Sequence, residues 1–200
     1  MWKFVNGLNA KTISLSNYLT TSLSHYLTIS LKRWQIGLAL LLSLAFACSY
    51  PEGFETIEVD GKYSIDVPAF MEEANDLAPD ASLQYKNPYR NVYLIVMEQK
   101  RKDFIDLADF QEQATSRILE DPLLKEPTVE DEKEIDVNGR LGILTSIFGT
   151  MDENEIIFYK HLSVDGGDSY YEVVFWLRGE KRRLEYESTI DSVMNSFQIL

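Results

Sequence analysis

His161 is the only histidine after residue 48, and a histidine can act as a general base or as a metal ligand. As a base it needs an acidic group that orients it, and as a ligand it needs companions at a defined spacing. The sequence offers no cysteine, serine-centred or metal-spaced motif to accompany it. Alternation along a strand places His161 on the same face as Tyr159. We therefore expect a hydrogen-bonded strand histidine and predict no catalytic residue.

Two acidic segments, Asp152–Glu155 and Asp165–Asp168, carry the oxygen ligands that calcium prefers. Neither segment has the twelve-residue spacing with a terminal glutamate that marks a calcium-binding loop. Asp, Asn and Gly also favour tight turns through their backbone preferences, and both segments separate apolar runs. We predict hairpin turns here, with no metal site and no cofactor.

Aromatic side chains with a polar atom are frequent between residues 85 and 176. They are Tyr85, Tyr89, Tyr93, Tyr159, Tyr170, Tyr171 and Trp176. Such side chains suit an interface, and they also suit a sheet face under a helix, which is the interpretation we favour. Asn87-Pro88-Tyr89-Arg90 is typical of an exposed turn, so Tyr89 and Arg90 are the candidate interaction surface.

Cys48 is the only cysteine of the chain and follows a segment with the layout of a bacterial secretory signal. Lys32 and Arg33 precede an uncharged apolar run, Trp34–Ala47. This run is shorter than the about 20 residues that cross a bilayer as a helix, which disfavours a permanent transmembrane anchor.

The residues Ala45-Phe46-Ala47-Cys48 resemble a lipobox, the site at which a lipoprotein is diacylated on cysteine and then cleaved before it. The resemblance implies a lipoprotein signal peptide at 31–47, lipid attachment at Cys48 and a lipidated tether at 48–53. Two alternatives remain: an ordinary signal peptide cut after Ala47, and an uncleaved anchor.

Charge divides the chain at the same place. All 32 acidic residues and 15 of the 19 basic residues follow Ala47, so a chain beginning at Cys48 carries a net charge of −17. This charge repels nucleic acids and anionic headgroups, and we predict no nucleic-acid partner. With one cysteine, packing alone must hold the fold.

Residues 1–30 are longer than the basic region of an ordinary signal. Ser14–Thr20 nearly repeats as Ser22–Thr28, a pattern without a core of its own. We interpret 1–30 as a mis-annotated extension upstream of the true start or as a disordered one.

The remaining residues, 54–200, alternate between strand and helix patterns. Strands are predicted at Phe54–Val59, Tyr63–Pro68, Leu83–Tyr85, Asn91–Lys100, Lys133–Val137, Leu141–Thr150, Glu155–Leu162 and Tyr170–Leu177. Connections are predicted at 71–81 and at Leu123–Glu132, the latter with a solvated acidic cluster at Glu130–Glu132.

Two helices are predicted. Asp106 caps the first, which carries Leu107, Phe110, Ala114 and Ile118 on one face and ends near Asp121. The second runs from about Lys181 to Phe197, and its apolar face comprises Leu184, Ser188, Ile190, Val193, Met194 and Phe197. Val92–Met97 is apolar on both faces, which predicts a central strand. Tight hairpins require antiparallel pairing, so the expected class is α+β, with a single antiparallel β-sheet covered by helices.

This arrangement resembles the PsbP-like fold, an α/β/α sandwich found in extrinsic photosystem subunits and in a Ran-binding nuclear-import factor. The resemblance covers about 54–200 and rests on Tyr63–Pro68, the helix with Leu107 and Phe110, the paired hairpins after Glu132 and the terminal Val193–Phe197. It implies a binding or accessory role and transfers no functional residue.

The sequence therefore predicts a non-enzymatic lipoprotein of the cell envelope, on the periplasmic or extracytoplasmic face, held to the membrane by its lipid. It would act as a binding or accessory domain for another envelope protein. The alternative is an extracytoplasmic domain that binds a small ligand or a cation in an acidic or aromatic cleft. An enzyme without a recognisable motif is the third possibility.

Overall fold

Residues 53–151 and 155–200 are the part of the chain that the computed structural model describes. The extension at 1–30, the predicted signal at 31–47 and Cys48 lie outside this part, as do residues 152–154 of one predicted turn. Of the predicted tether, only Gly53 is described.

The described residues form ten strands and two α-helices. The strands are β1 (Phe54–Val59), β2 (Tyr63–Pro68), β3 (Glu72–Glu73), β4 (Ala81–Asn87), β5 (Val92–Lys100), β6 (Lys125–Val137), β7 (Arg140–Thr150), β8 (Ile156–Asp165), β9 (Ser169–Arg178) and β10 (Gln198–Ile199). The helices are α1 (Leu107–Leu119) and α2 (Glu180–Ser196), and a short 3-10 turn, Arg101–Asp103, precedes α1.

The strands form two antiparallel sheets, whereas we predicted one. The large sheet has the order β3-β4-β5-β9-β8-β7-β6, and the small sheet has the order β1-β2-β10. Tyr63, Ile65 and Val67 of β2 are buried in the main core, so the β1–β2 hairpin stacks on the large sheet and does not extend its edge. The α+β class with antiparallel strands is confirmed.

The two faces of the large sheet are covered by different elements. Alternation along β9 sends Tyr171 and Val173 to one face, where they share a core with Tyr186 and Ile190 of α2 and with the small sheet. The opposite face receives Tyr170, which packs against α1. We call these the α2 face and the α1 face.

Local sequence explains how α1 and the hairpins form. The Asp106 carboxylate accepts a hydrogen bond of 2.9 Å from the backbone N–H of Asp109, as the capping prediction required. Asn138 and Gly139 have φ values of 51° and 83°, the left-handed backbone of a two-residue hairpin turn between β6 and β7. β5 is an interior strand of the large sheet, as predicted, although the middle strand of that sheet is β9.

The predicted connection at Leu123–Glu132 is wrong, because β6 already begins at Lys125 and includes the acidic cluster. β6 is an edge strand with two register shifts and mostly exposed side chains. Such a strand lacks the alternating apolar pattern by which strands are recognised, and its charges protect the edge from further pairing. The predicted connection at 71–81 likewise contains the short strand β3.

The predicted apolar face of α2 is wrong at two positions. Leu184 is 72% exposed, and Ser188 is also exposed, whereas Tyr186 is buried. The buried face therefore begins at Tyr186, which lies four residues before Ile190 on the same helical face. A tyrosine can occupy this place because its hydroxyl reaches a polar partner, Arg90.

Candidate binding cleft

His161 lies where the strand pattern placed it, on the α1 face of β8, and its side chain is fully buried. Its Nε2 lies 3.3 Å from Glu172 Oε1 and 3.5 Å from Ser163 Oγ. His161 is therefore a hydrogen-bonded strand histidine without access to solvent, as expected.

Glu172 is the centre of a buried polar cluster with His161 and Arg117. The Glu172 side chain is 1% exposed, and its Oε2 accepts a 2.6 Å hydrogen bond from Arg117 Nη2. Burial raises the pKa of Glu172, but the hydrogen bond and charge of His161 together with the Arg117 guanidinium outweigh burial and hold that pKa below its ordinary value. The carboxylate is therefore ionised and joins β9 to α1.

A second polar cluster lies beside it between α1 and β7. Gln111 Nε2 donates to Thr115 Oγ1 at 3.0 Å and to Thr145 Oγ1, and Thr145 Oγ1 donates to Glu132 Oε2 at 3.0 Å. Gln111 Oε1 is buried without a partner in the described residues. These bonds orient α1 on the sheet and so define the edge of the space next to it.

A cleft of about 280 Å³ opens on the α1 face, between the C-terminal end of α1 and strands β5, β9 and β8. Its apolar lining includes Ile95, Ile118, Leu124, Val174 and Trp176. Its polar lining comprises Arg117, Asp121, Tyr159, Glu172 and Arg178. A mostly apolar concave site with a few converging polar groups is the usual form of a small-molecule site.

The floor of the cleft is aromatic. Cross-strand pairing places Trp176 between Tyr93 of β5 and Tyr159 of β8. The Tyr93 and Trp176 rings stack with centroids 5.1 Å apart, and the Tyr159 and Trp176 centroids are 6.2 Å apart with near-parallel planes. Burial and, to a smaller extent, the charge of Asp121 raise the pKa of Tyr159 to about 12 against the lowering effect of Arg178, so its phenol stays protonated at neutral pH.

Tyr89 and Arg90 lie on the predicted turn between β4 and β5, but they play different parts. Tyr89 is 85% exposed. Arg90 Nη1 donates to the Tyr186 hydroxyl at 3.0 Å, and its guanidinium lies 4.4 Å from the centroid of the Phe70 ring. Arg90 thus connects the turn to α2, and Tyr89 projects from this turn into solvent.

The packing interpretation of the tyrosines fits Tyr170 and Tyr171, which face opposite sides of the sheet. Tyr170 stacks on Phe110 of α1 at 5.2 Å, and Tyr171 lies 5.4 Å from the Tyr63 ring in the main core. The sequence also indicated a hairpin at Asp165–Asp168. There the Asp165 carboxylate forms an ion pair with Arg101 at 2.7 Å and accepts a hydrogen bond from the backbone N–H of Gly167 in the same turn.

The sequence interpretation missed Glu172, Arg117 and Arg178 as a set. A usable signal existed, because Glu172 stands alone among apolar residues of β9, and a charge within a buried strand needs a partner. The partner on α1 could not be read from the sequence, since it comes from a different element.

Within residues 53–151 and 155–200, no group of three or more His, Cys, Asp or Glu side chains could hold a metal ion. Among those same residues, no helix has the length and hydropathy needed to cross a membrane.

No protein-family model matches the chain, and no curated protein sequence matches it. Solved structures do resemble it. The Ran-binding protein Mog1p of Saccharomyces cerevisiae superposes with a TM-score of 0.56 at 13% identity, covering 74% of this chain and 96% of Mog1p. Cyanobacterial PsbP (CyanoP) from Synechocystis superposes with a TM-score of 0.54 at 13% identity, covering 77% of this chain and 96% of CyanoP.

At such identities the likeness shows the fold alone. The PsbP-like architecture predicted from the strand and helix order is confirmed at that level, with the small sheet as an addition to the prediction. The described domain has the fold shared by cyanobacterial PsbP and Mog1p.

Proposed function

We propose that this protein is a non-enzymatic binding domain, tethered through a lipid on Cys48 to the extracytoplasmic face of a membrane in the cell envelope. The cleft on the α1 face carries the binding part of the proposal, because it combines an aromatic floor with a few polar groups. The order of charges, apolar run, small residues and Cys48 supports the tether.

The chemistry of the cleft favours binding over catalysis. His161 has no access to solvent, and Glu172 is already engaged by Arg117 and His161. A carboxylate whose pKa is held low is a weak general base, because catalytic bases work best with a pKa near the operating pH. Both groups therefore serve to hold α1 against β9.

The tether is tested by the intact mass and detergent partitioning of the protein from its native membrane. A chain that begins at Cys48 and carries added diacylglyceryl mass is expected. Cys48→Ala should lose this mass and the detergent partitioning, whereas the neighbouring Ser49→Ala should keep both. A soluble chain without lipid, or a chain that retains 31–47, would contradict the tether.

Binding in the cleft is tested by thermal unfolding of the protein against a panel of small organic molecules and divalent cations. A ligand that binds only the folded state raises the melting temperature, by an amount that grows with its concentration. The effect should disappear in Trp176→Leu, which removes the floor, and persist in Leu184→Ala on the exposed side of α2. A panel without any stabilising compound would count against a small-molecule site.

A protein partner is the second candidate function, and the exposed Tyr89, on a turn that Arg90 connects to α2, favours it. Exposed tyrosines on ordered supports are frequent anchors of protein interfaces. A photo-reactive phenylalanine at position 89, in the membrane-bound protein of intact cells, should cross-link an envelope protein. The same probe at Ile105, which is 89% exposed on another part of the surface, is the matched control. Equal cross-linking from both positions would argue against a specific surface.

A further inference from the structure

Arg178 ends β9 at one end of the cleft and has donor capacity to spare. Its Nε is buried without a hydrogen-bond partner, and its two terminal nitrogens make no hydrogen bond or ion pair among the described residues, so these terminal nitrogens are the donors open to a ligand. A buried donor without a partner destabilises the free protein. The planar fork of a guanidinium fits a carboxylate, which accepts two parallel hydrogen bonds from it.

The other charged groups of the cleft either already have a charged partner or are negative themselves. Arg117 is bound by Glu172 at 2.6 Å at the other end of the lining. Asp121 Oδ1 accepts a hydrogen bond of 2.9 Å from the backbone N–H of Leu123. Arg117 thus already has a carboxylate partner, whereas Arg178 has none among the described residues, which makes Arg178 the better candidate for an incoming anion.

Two features limit the charge and the polarity of that anion. Asp121, Tyr159 and Arg178 all line the cleft, so a negative side chain faces the same space as Arg178. A ligand with several negative charges would be repelled there, whereas a single carboxylate would be tolerated. The protonated hydroxyl of Tyr159 offers that carboxylate a further donor.

The space between Arg178 and Glu172 is flat and apolar. Alternation along β9 places Val174 and Trp176 in this interval on the cleft face, and the stacked Tyr159 ring continues the surface. The volume of about 280 Å³ lies just below the range of about 300–1,000 Å³ that is usual for ligand pockets. The occupant is therefore small.

We infer that the cleft binds a small organic monocarboxylate, with the carboxylate on Arg178 and a flat apolar body against Trp176. This ligand class rests on the proposed binding function and narrows it. Neutral analogues of the same body would keep the apolar contact and lose the charged hydrogen bonds. Cationic analogues would place an ammonium group against a guanidinium.

Fluorescence of Trp176 tests the inference directly. The chain has three tryptophans, and Trp2→Phe with Trp34→Phe leaves Trp176 as the reporter in the full chain, whether or not the N-terminal segment is removed. The probes are phenylacetate, phenylacetamide and phenethylamine, which share a phenyl body and differ in the head group. Phenylacetate is expected to give a saturable change below about 10 mM, at an affinity at least about tenfold higher than the other two.

Arg178→Gln should lower the affinity for phenylacetate to that for phenylacetamide and leave the amide unaffected. Arg140→Gln, an exposed arginine at the β6–β7 turn, is the matched control and should change neither. Equal binding of acid and amide, or stronger binding of the amine, would overturn the carboxylate assignment while leaving a small-molecule site in place. The comparison of the three probes on the chain with Arg178 intact requires no variant at that position.

The absence of any saturable change with the three probes would also overturn the ligand class. The broader binding proposal has its own test in the thermal panel, which contains molecules without a phenyl body or a carboxylate. A stabilising compound there would show a binding domain of different specificity. The two proposals can therefore fail separately.

Discussion

Glu172→Gln is the substitution that most sharply tests the polar cluster under α1. Glu172 accepts a 2.6 Å hydrogen bond from Arg117 through Oε2 and lies 3.3 Å from His161 through Oε1. Glutamine has nearly the same shape but one acceptor oxygen and no charge, so it can accept from only one of these two partners. Both contacts lose the assistance of the carboxylate charge, because the carboxylate itself is gone.

The expected cost follows from the burial of the two partners. A hydrogen bond with a charged partner contributes about 1.5–3 kcal/mol. The Arg117 side chain is 45% exposed, so water screens its share, whereas His161 is fully buried. We expect a loss of about 2–3 kcal/mol in the free energy of unfolding at neutral pH, or about 5–10 °C in melting temperature.

The pH dependence has a definite sign. The pKa of Glu172 in the folded protein lies below its ordinary value of 4.5. A carboxyl group with a lowered pKa contributes stability above its unfolded pKa and loses that contribution as the pH falls through its folded pKa. The difference between the native protein and Glu172→Gln should therefore be constant at neutral pH and shrink below pH 4.5.

Urea unfolding followed by tryptophan fluorescence and circular dichroism, at several pH values, measures both effects. Glu187→Gln, on the exposed side of α2, is the matched control and should change stability by less than about 0.5 kcal/mol. A Glu172→Gln protein as stable as the native one would refute the reasoning. So would a difference between the two that persists unchanged at acid pH.

Three further substitutions test other parts of the structure by the same unfolding assay. Phe110→Ala, which empties a fully buried position under Tyr170, should cost about 3–5 kcal/mol, while Ile105→Ala at an exposed position should cost less than about 0.5. Gly179→Ala should cost at least about 1 kcal/mol because φ is 93° there, and an unchanged midpoint would contradict the left-handed backbone. Asp106→Ala should cost about 1 kcal/mol because α1 loses its N-terminal cap. Unchanged hydrogen exchange of the α1 backbone amides would contradict this.

Most of the fold could be predicted because its elements follow strict periodicities. β1 and β2 begin and end at the predicted residues, and the cap at Asp106 and the Asn138-Gly139 turn take the geometry that their residue types require. These features depend on neighbours in sequence. The sequence did not predict the first part of β6, Lys125–Glu132. Both faces of this strand are mostly exposed, so burial imposes no alternating pattern on its residues.

The second sheet and the cleft depend on contacts between distant residues, which periodicity cannot supply. The small sheet gains its third strand because Gln198, near the end of the sequence, pairs with Ser64 near the start of the domain. The Arg117–Glu172 pair joins residues 55 positions apart. From the sequence, Arg117 is one of many charges on an amphipathic helix, and Glu172 is an isolated charge in an apolar strand. They become an ion pair only in the folded protein, where α1 packs against β9.

The strand β9 explains why the domain has one structural face and one face suited to binding. On the α2 face its side chains are Tyr171, Val173, Phe175 and Leu177, all apolar or aromatic and all buried in one core. The α1 face of the same strand carries Glu172 and Arg178, whose charges need partners and therefore prevent a seamless apolar contact.

α1 satisfies Glu172 through Arg117 but ends at Leu119, before it reaches Arg178. The sheet beyond its last turn is left with Trp176 and an arginine Nε that has no partner in the described residues. Because α1 ends at Leu119, Arg178 keeps no side-chain partner among the described residues, and occupation of the cleft by a carboxylate should stabilise the end of β9 and the α1–β6 connection more than the α2 face.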